Sequence, residues 1–341
     1  MNNHNNIVSS SGQSTPEMLR DIRFQTEHGK LFSKQVSRLF RPGGDGQPTY
    51  EPALVTAGTE TNGVIMIDAS GGGKTTTIQE VLSKFDALQD NPETGRPRYL
   101  KIKVESPATQ KSLGTTILEK LGVDHIAERA KVWEIWRAVR VRLDRMGITL
   151  LWIDEAQDMF KDTAATETDN MLKMLKSLMQ GEHPVVLVLS GTERLGRIAG
   201  LDPQLSRRFA KIKPRDLEIG ADNKDLEELV SFLSGKAGLT FNSDFDVISR
   251  LIHGSRYKFG RAIESTILAI EEALDQDSSC LAVEHFEVSW GEREICEPGR
   301  NVFAAEDWIE IELDVDEDEY EAQRTAATNK ARQKAKRRKK K

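Results

Sequence analysis

One short segment restricts the possible folds of this chain more than any other. The apolar run Gly63–Ile67 predicts a buried strand, and it leads directly into Asp68-Ala69-Ser70-Gly71-Gly72-Gly73-Lys74-Thr75. A helical pattern follows over residues 76–85. A glycine-rich turn ending in Lys-Thr, placed between a strand and a helix, is the sequence context of a phosphate-binding loop. The segment therefore favours a parallel α/β sheet whose strands run into helices.

Each position of this loop has an expected role. Consecutive glycines let backbone N–H groups surround phosphate oxygens, and the following helix N-terminus adds a favourable dipole. Lys74 is expected to reach the β- and γ-phosphates, and the Thr75 hydroxyl is expected to bind Mg²⁺. The predicted nucleotide-contacting residues are Ser70, Gly71, Gly72, Gly73, Lys74, Thr75 and Thr76. The alternative is a glycine-rich turn followed by Lys-Thr by chance.

The first glycine of the usual pattern is replaced by Asp68. Asp tolerates unusual backbone angles better than most residues, but its carboxylate would lie near a polyanion. We therefore expect Asp68 to weaken the affinity for nucleotide without abolishing it.

A second apolar run, Leu150-Leu151-Trp152-Ile153, ends in Asp154-Glu155, eighty residues after Lys74. Asp154 is expected to hold Mg²⁺, and Glu155 to orient or deprotonate an attacking water. The alternative is an ordinary solvated strand end. A third run, 185–190, ends in Ser190-Gly191-Thr192, so either Ser190 or Thr192 is a candidate to bond the attacking water. Strand-end turn chemistry is the alternative there.

Strand and helix patterns alternate along this part of the chain. Strand candidates occur at 63–67, 99–104, 148–153 and 185–190, separated by helical stripes of apolar residues. This order predicts a doubly wound α/β domain with a parallel sheet. After residue 216 the patterns at 225–233, 245–252 and 261–274 are all helical, with no strand expected between them. A small all-α lid domain is therefore predicted.

Charge and composition limit the other function classes. No apolar run approaches the ~18 residues of a membrane span, and the Asn-rich start does not resemble a signal peptide, so an intracellular, cytoplasmic protein is expected. The two cysteines, Cys280 and Cys296, lack metal-site spacing. The net charge of −6 conceals ten acids and no bases over 306–321, then ten bases and no acids over 322–341. Any nucleic-acid site must therefore be a local patch or this tail.

Taken together, the motifs resemble those of AAA+ ATPases, in which an arginine from a neighbouring subunit completes the active site. In Leu201-Asp202-Pro203-Gln204-Leu205-Ser206-Arg207-Arg208-Phe209, the arginine pair matches that finger, and we favour Arg208 slightly over Arg207. A solvated basic turn is the alternative. Arg261, in Lys258-Phe259-Gly260-Arg261, resembles the sensor-2 arginine of the lid, although a surface arginine at a helix start is also compatible.

A narrower resemblance is to AAA+ transposition regulators of the TniB/TnsC type. It rests on Ser70-x-x-Gly73-Lys74-Thr75, Ile153-Asp154-Glu155-Ala156-Gln157, Gly191-Thr192-Glu193 and Asp202-x-Gln204-Leu205-x-x-Arg208-Phe209. It implies ATP and Mg²⁺ as cofactors and a homo-oligomeric ring or helical filament on double-stranded DNA. It also implies recruitment of a transposase to a site chosen by a target-selection factor, with no membrane partner.

Two segments are candidates for binding DNA. Lys101 and Lys103 lie on one face of the strand predicted at 99–104, and Lys111 and Thr115 in the next helix would extend a backbone-contacting surface. An edge strand protected by lysines is the alternative. The basic segment 330–341 is the second candidate, for DNA or an acidic partner, unless it is only a solvated tail.

These patterns divide the chain into four parts. They are a disordered start and helical lead-in (1–52), the nucleotide-binding domain (53–216), the lid (217–295) and an acidic then basic tail (296–341). Two other AAA+ classes remain as alternatives. A secretion-type motor would need a peptidoglycan or membrane module, and a replication initiator or clamp loader would need a winged-helix module for which the tail leaves no room.

Overall fold

The computed structural model describes residues 15–106, 108–127, 129–160 and 165–313. They divide into two compact units. The sheet unit comprises Gln25–Ser70 and Lys74–Pro214, and the helical unit comprises 15–24, Gly71–Gly73 and the chain from Arg215 onward. None of the helices in the described ranges has the length and apolar composition needed to cross a membrane.

The elements follow one another with short connections. The helices are α1 (Thr15–Asp21), α2 (Glu27–Arg38), α3 (Lys74–Ser83), α4 (Gln110–Lys120), α5 (Val132–Arg145), α6 (Ala165–Leu178), α7 (Glu193–Ala199), α8 (Pro203–Ser206), α9 (Asn223–Lys236), α10 (Val247–Gly254), α11 (Phe259–Asp275) and α12 (Val283–Glu294). The strands are β1 (Phe40–Pro42), β2 (Pro48–Pro52), β3 (Gly63–Ile67), β4 (Asp90–Asn91), β5 (Arg96–Pro97), β6 (Tyr99–Lys103), β7 (Leu150–Asp154), β8 (Val186–Gly191), β9 (Phe209–Ile212), β10 (Thr240–Phe241) and β11 (Cys280–Leu281).

A five-stranded parallel sheet organises the sheet unit, in the order β6-β7-β8-β3-β9. Strands β3, β7 and β8 are buried along their whole length, as expected for a parallel sheet covered on both faces. One core lies on each face, with Leu151, Ile153 and Leu187 in one and Leu150, Trp152 and Val188 in the other. The predicted α/β fold is therefore confirmed.

The register brings the carboxyl ends of the central strands together. Ile67 pairs with Gly191, and Lys103 pairs with Asp154. The loops that follow β3, β7 and β8 consequently leave the sheet at one edge, where ligands bind in open α/β sheets.

Some sequence expectations need correction. The predicted loop at 41–52 contains the antiparallel pair β1–β2, closed by a hydrogen bond from Gly43 N to Gln47 O (2.7 Å). Strand β9 was not expected, because its four residues include an exposed lysine, Lys211. The predicted all-α lid includes a two-residue parallel pair, β10–β11. A strand this short has no period to detect in a sequence.

The helical unit also contains two segments that the sequence predicts to lie outside the lid, one from the lead-in and one from the charged tail. Leu19 of α1 is 1% exposed and packs in the same core as Leu233, Leu251 and Ile270. The predicted lead-in is thus divided, since α2 belongs to the sheet unit. Residues 296–313 were assigned to a charged tail, yet Val302 and Phe303 are buried in this core and Phe303 stacks on Phe286. Buried apolar side chains, rather than the acids around them, determine where this stretch lies.

Candidate nucleotide site

The glycine-rich loop adopts a conformation that only glycine accepts easily. Gly71 and Gly73 have φ values of +77° and +96°, in the left-handed region. Asp68 N donates to Gly191 O (3.1 Å), which ties the start of the loop to the end of β8. The Asp68 carboxylate is buried and accepts a hydrogen bond from Ala69 N (2.8 Å). The residue that replaces the usual first glycine is therefore held by its own loop.

Lys74 begins α3 and is almost completely buried, with 5% of its surface exposed. Its Nζ donates to the carbonyl oxygens of Asp68 (2.9 Å) and Ala69 (2.8 Å). An ammonium group has three N–H donors, and these bonds use two of them. A buried ammonium that directly follows a glycine-rich loop in the chain is suited to an anionic ligand.

A chain of hydrogen bonds fixes the Asp154 carboxylate. Thr75 Oγ1 donates to Asp154 Oδ2 (2.9 Å), and Ser190 Oγ donates to Asp154 Oδ1 (2.6 Å). The Trp152 indole N–H donates in turn to Ser190 Oγ (2.8 Å). A hydroxyl and a carboxylate held side by side are the hard oxygen ligands that Mg²⁺ prefers, so these residues fit the predicted metal.

This chain of bonds separates the two candidates for bonding the attacking water. Ser190 is fully buried, and its hydroxyl is already engaged with both Asp154 and Trp152. Thr192 stands at the N-cap of α7, and its side chain makes no capping bond there. Thr192 is therefore the better-placed candidate. The indole of Trp152 is a site group that the sequence did not reveal, because an apolar run predicts a core residue.

Glu155 follows β7 in an unusual backbone conformation, with φ +52°. Its carboxylate accepts a hydrogen bond from Gln157 Nε2 (2.7 Å). The other end of the same amide, Gln157 Oε1, accepts from Thr192 N (3.2 Å). Gln157 belongs to the motif Ile153-Asp154-Glu155-Ala156-Gln157, but the sequence alone predicts no role for its side chain.

A histidine from α2 also approaches this region. His28 Nε2 lies 3.2 Å from Thr77 Oγ1 in α3. Burial lowers the pKa of His28, although the nearby Asp68 carboxylate acts in the opposite direction. Nothing in the sequence around position 28 distinguishes it from a surface histidine of an amphipathic helix, so this contact arises only in the folded unit.

The arginine pair divides into one buried and one exposed side chain. Arg208 is 4% exposed, and its Nη2 donates to Glu60 Oε1 (2.6 Å). Arg207 is 64% exposed in its side chain, with Nη2 3.9 Å from Glu60 Oε2. Within a single chain, Arg208 is held by Glu60, whereas the Arg207 side chain is accessible to a neighbouring subunit. The arginine finger stays a prediction, and exposure favours Arg207 over Arg208 for that role.

Glu60 anchors this pair through several hydrogen bonds. Gln180 Nε2 donates to its carboxylate (2.6 Å), as does Thr56 Oγ1 (3.0 Å). The pKa of Glu60 is lowered mainly by the hydrogen bond from Gln180. The bond from Thr56 and the charge of Arg208 act in the same direction. The carboxylate is thus kept ionised against the guanidinium.

The rest of the arginine motif has a structural explanation. Asp202 caps α8 by accepting from Gln204 N (2.8 Å) and Leu205 N (3.1 Å). Burial alone would raise the pKa of Asp202, but the bond from Lys176 Nζ (2.6 Å) and these backbone N–H groups together lower it. Leu205 is fully buried. The motif therefore builds the turn that presents Arg207.

Arg261 lies in the first turn of α11 in the helical unit, which also contains Gly71–Gly73. A Cβ atom added to Gly71 would come within 3.0 Å of Arg261 Cγ. A side chain on Gly260 would overlap the backbone of the same glycines. Glycine at 260 is therefore required for this close approach.

The candidate DNA-contacting residues lie on the edge strand and the helix after it. Strand β6 is at the edge of the sheet, which agrees with the alternative interpretation of its lysines. Lys101 Nζ stands 4.2 Å from the ring centroid of Trp152, its neighbour in the register, in cation–π geometry. Lys103 is exposed, and Lys111 and Thr115 on α4 are half-buried. Lys103 is thus the most accessible member of the set, and residues 330–341 lie outside the described ranges.

Comparison with known proteins identifies the matching segment. Residues 55–217 match the family model described as Bacterial TniB protein. These residues form an AAA+ ATPase domain of the TniB kind. The TniB-type domain contains the loop, both acids, Thr192 and the arginine pair, and it binds nucleotide. No curated protein matches the chain.

Solved structures match the fold of the TniB-type domain and the helical unit after it. The Aeropyrum pernix ORC1 protein in complex with DNA aligns with a TM-score of 0.57 and 18% identity, covering 84% of this chain and 72% of that one. Cdc6p from Pyrobaculum aerophilum aligns with a TM-score of 0.54 and 14% identity, covering 79% and 68%. The Aeropyrum pernix ORC2 protein aligns with a TM-score of 0.53 and 13% identity, covering 81% and 69%. At these identities the likeness extends to the fold alone.

Proposed function

We propose that this chain is an ATP-dependent, non-sequence-specific DNA-binding regulator of DNA transposition. It assembles as a homo-oligomer on double-stranded target DNA and recruits a transposase to a site chosen by a target-selection factor, with the bound nucleotide as the switch. The observation that carries the proposal is the cluster of Lys74, Thr75, Asp154 and Glu155 within a segment that matches the TniB family.

In this proposal the chain's own groups divide the work of hydrolysis. The loop N–H groups and Lys74 bind the phosphates of ATP, while Thr75 and Asp154 hold Mg²⁺. The metal supplies positive charge against the phosphate oxygens in the transition state. Glu155 orients the attacking water and accepts its proton, and Thr192 bonds the same water. The products are ADP and phosphate.

The proposed oligomer completes the site between subunits. Arg207 supplies a guanidinium to the nucleotide of the neighbouring protomer, where a planar cation suits the developing phosphoryl charge. Arg261 contacts the γ-phosphate within its own chain. Hydrolysis at such interfaces couples the nucleotide state to assembly, because loss of the γ-phosphate removes the group that the neighbouring arginine contacts.

Binding to DNA is proposed to use backbone contacts. Lys103, extended by Lys101, Lys111 and Thr115, offers cations and a hydroxyl, the groups that contact phosphates without reading bases. The basic segment 330–341 is proposed as a second, nucleotide-independent contact.

The test compares two variants by fluorescence anisotropy on duplex DNA of unrelated sequences, with ATP and with ADP. Lys74→Ala is expected to lose ATP-dependent binding, because the phosphate charge is no longer matched. Glu155→Gln is expected to bind DNA with ATP but to hydrolyse about 10²- to 10⁴-fold more slowly, since only water activation is lost. The matched control is Lys84→Ala, at an exposed lysine directly after the end of α3. This variant should resemble the wild type.

Two outcomes would contradict the proposal. Equal DNA affinity with ATP and ADP would remove the switch, and wild-type turnover by Glu155→Gln would remove its catalytic role. The recruitment step is tested by adding a candidate transposase to the DNA complex, which should retain the enzyme with ATP and release it with ADP.

A further inference from the structure

The side chain of Gln157 joins two parts of the proposed catalytic machinery. It lies in the turn after β7 and is 7% exposed. Its Nε2 donates to Glu155 Oε2 (2.7 Å), and its Oε1 accepts from Thr192 N (3.2 Å). Both ends of one buried amide are therefore used, one by the proposed base and one by the loop after β8.

The backbone conformation of Glu155 and the absence of a side chain at Gly191 both accommodate this amide. Glu155 has φ +52°, a left-handed conformation that is unfavourable for a non-glycine residue and so needs support from its surroundings. Glu155 N donates to Asp154 Oδ1 (3.2 Å), which holds its backbone while Gln157 holds its carboxylate. A Cβ atom on Gly191 would overlap Gln157 Oε1. Glycine at 191 thus leaves the space that the amide occupies.

We propose that Gln157 is a positioning residue that couples the Glu155 carboxylate to the Gly191–Thr192 loop. The loop faces the γ-phosphate in the proposed function, on which this inference rests. A shift of Thr192 on nucleotide binding is then transmitted through one rigid amide to the base. The attacking water is activated only when the Gly191–Thr192 loop and the Glu155 carboxylate are both correctly positioned around it.

The chemistry of the amide explains why glutamine is required. The amide offers a donor to the carboxylate from its nitrogen and an acceptor to the backbone N–H from its oxygen, two separate atoms at the end of one side chain. Methionine has nearly the same length and volume but makes neither bond. Glutamate would keep the acceptor toward Thr192 but would place a second carboxylate against Glu155, where like charges repel.

The test measures ATP affinity and turnover separately. Gln157→Met is expected to keep the affinity for ATP within about twofold while kcat falls about 10- to 100-fold, the effect of a misplaced catalytic group. Gln157→Glu is expected to be slower still. Gly191→Ala should lower kcat in the same way without altering Gln157, because its methyl group displaces the amide. Gln79→Met, at an exposed glutamine on α3, is the matched control.

A double variant separates positioning from a general structural role. If Gln157 acts through Glu155, then Glu155→Gln/Gln157→Met should hydrolyse ATP no more slowly than Glu155→Gln alone. A double variant slower by the full factor seen for Gln157→Met would overturn the inference. Wild-type kcat in Gln157→Met, with Glu155→Gln inactive, would overturn it and leave the proposed function intact. Wild-type turnover in Glu155→Gln would overturn both.

Discussion

At the residue scale, the site depends on how each buried polar group is satisfied. A carboxylate with only 3% exposure, such as that of Asp154, is costly unless it accepts hydrogen bonds. It receives them from Thr75 Oγ1, Ser190 Oγ and Glu155 N. Because the indole of Trp152 donates to the Ser190 hydroxyl, the proton of Ser190 is directed at the carboxylate. The oxygens proposed to hold Mg²⁺ are thereby oriented by hydrogen bonds within the fold.

His28 gives a prediction at this scale. Its pKa is lowered in the folded chain, so the neutral form is favoured there, whereas the unfolded chain titrates near 6.5. The stabilisation from the neutral ring is present above pH 6.5 and is lost as the pH falls below it, because only the unfolded chain then takes up the proton. We expect urea unfolding from pH 8 to pH 5.5 to show decreasing stability, and His28→Gln to have a flatter profile. Parallel profiles would contradict this assignment.

At the element scale, short segments complete the core of the helical unit. Helix α1 is seven residues long, too short to be stable alone, and it is held by Leu19 and by Arg20, which bridges Glu264 and Glu271 on α11 (3.1 Å each). Near the other end of the described chain, Arg250 Nη1 donates to the carbonyl oxygens of Val302 and Ala305 (2.8 Å each). Segments that are far apart in the sequence thus pack into one core.

Replacing a single leucine tests this arrangement. Leu19→Ala is expected to lower the free energy of unfolding of the helical unit by about 2–5 kcal/mol, the usual cost of a cavity at a buried leucine. Amide hydrogen exchange in α11 should accelerate. The matched control is Leu31→Ala on α2, which is 42% exposed and should change stability by no more than about 0.5 kcal/mol. Equal effects from the two variants would show that α1 contributes no packing.

At the scale of the whole molecule, the proposed assembly gives the two adjacent arginines different roles. Arg208 belongs to the sheet unit's own network with Glu60, whereas Arg207 projects from the turn built by Asp202 and α8. In a head-to-tail ring or filament, each subunit presents the same surface to the next, so one exposed arginine can serve every interface. Substitution of Arg208 is therefore expected to affect stability, and substitution of Arg207 to affect activity.

Mixing variants tests the proposed interface. Arg207→Ala and Lys74→Ala are each expected to lose hydrolysis by about 10³-fold or more, the usual contribution of an arginine finger or of the loop lysine. In an equimolar mixture about a quarter of the interfaces pair an intact loop with an intact arginine, so part of the activity should return. Arg208→Ala should instead lower the melting temperature, because Glu60 loses the guanidinium that lies 2.6 Å from its carboxylate. No recovery, with both chains folded and co-assembled, would mean that Arg207 does not act in trans.

Local sequence patterns are sufficient to predict the parallel sheet and the position of the glycine-rich loop. Apolar runs with strand length, a glycine-rich turn and acids at a strand end are local patterns, and their consequences follow from the backbone geometry of single elements. Lys74, Thr75, Asp154 and Glu155 were predicted for that reason, and the structure brings Thr75 and Asp154 within hydrogen-bond distance.

Contacts between distant segments determine which of several similar side chains is buried and which is accessible. Arg207 and Arg208 are equivalent in sequence, but Glu60, 148 residues away from Arg208, buries one of them. Ser190 and Thr192 differ because Trp152 lies on the neighbouring strand, and Gln157 makes its two bonds because Thr192 and Glu155 flank it. Burial and hydrogen-bond partners depend on contacts between distant segments, which no local pattern encodes.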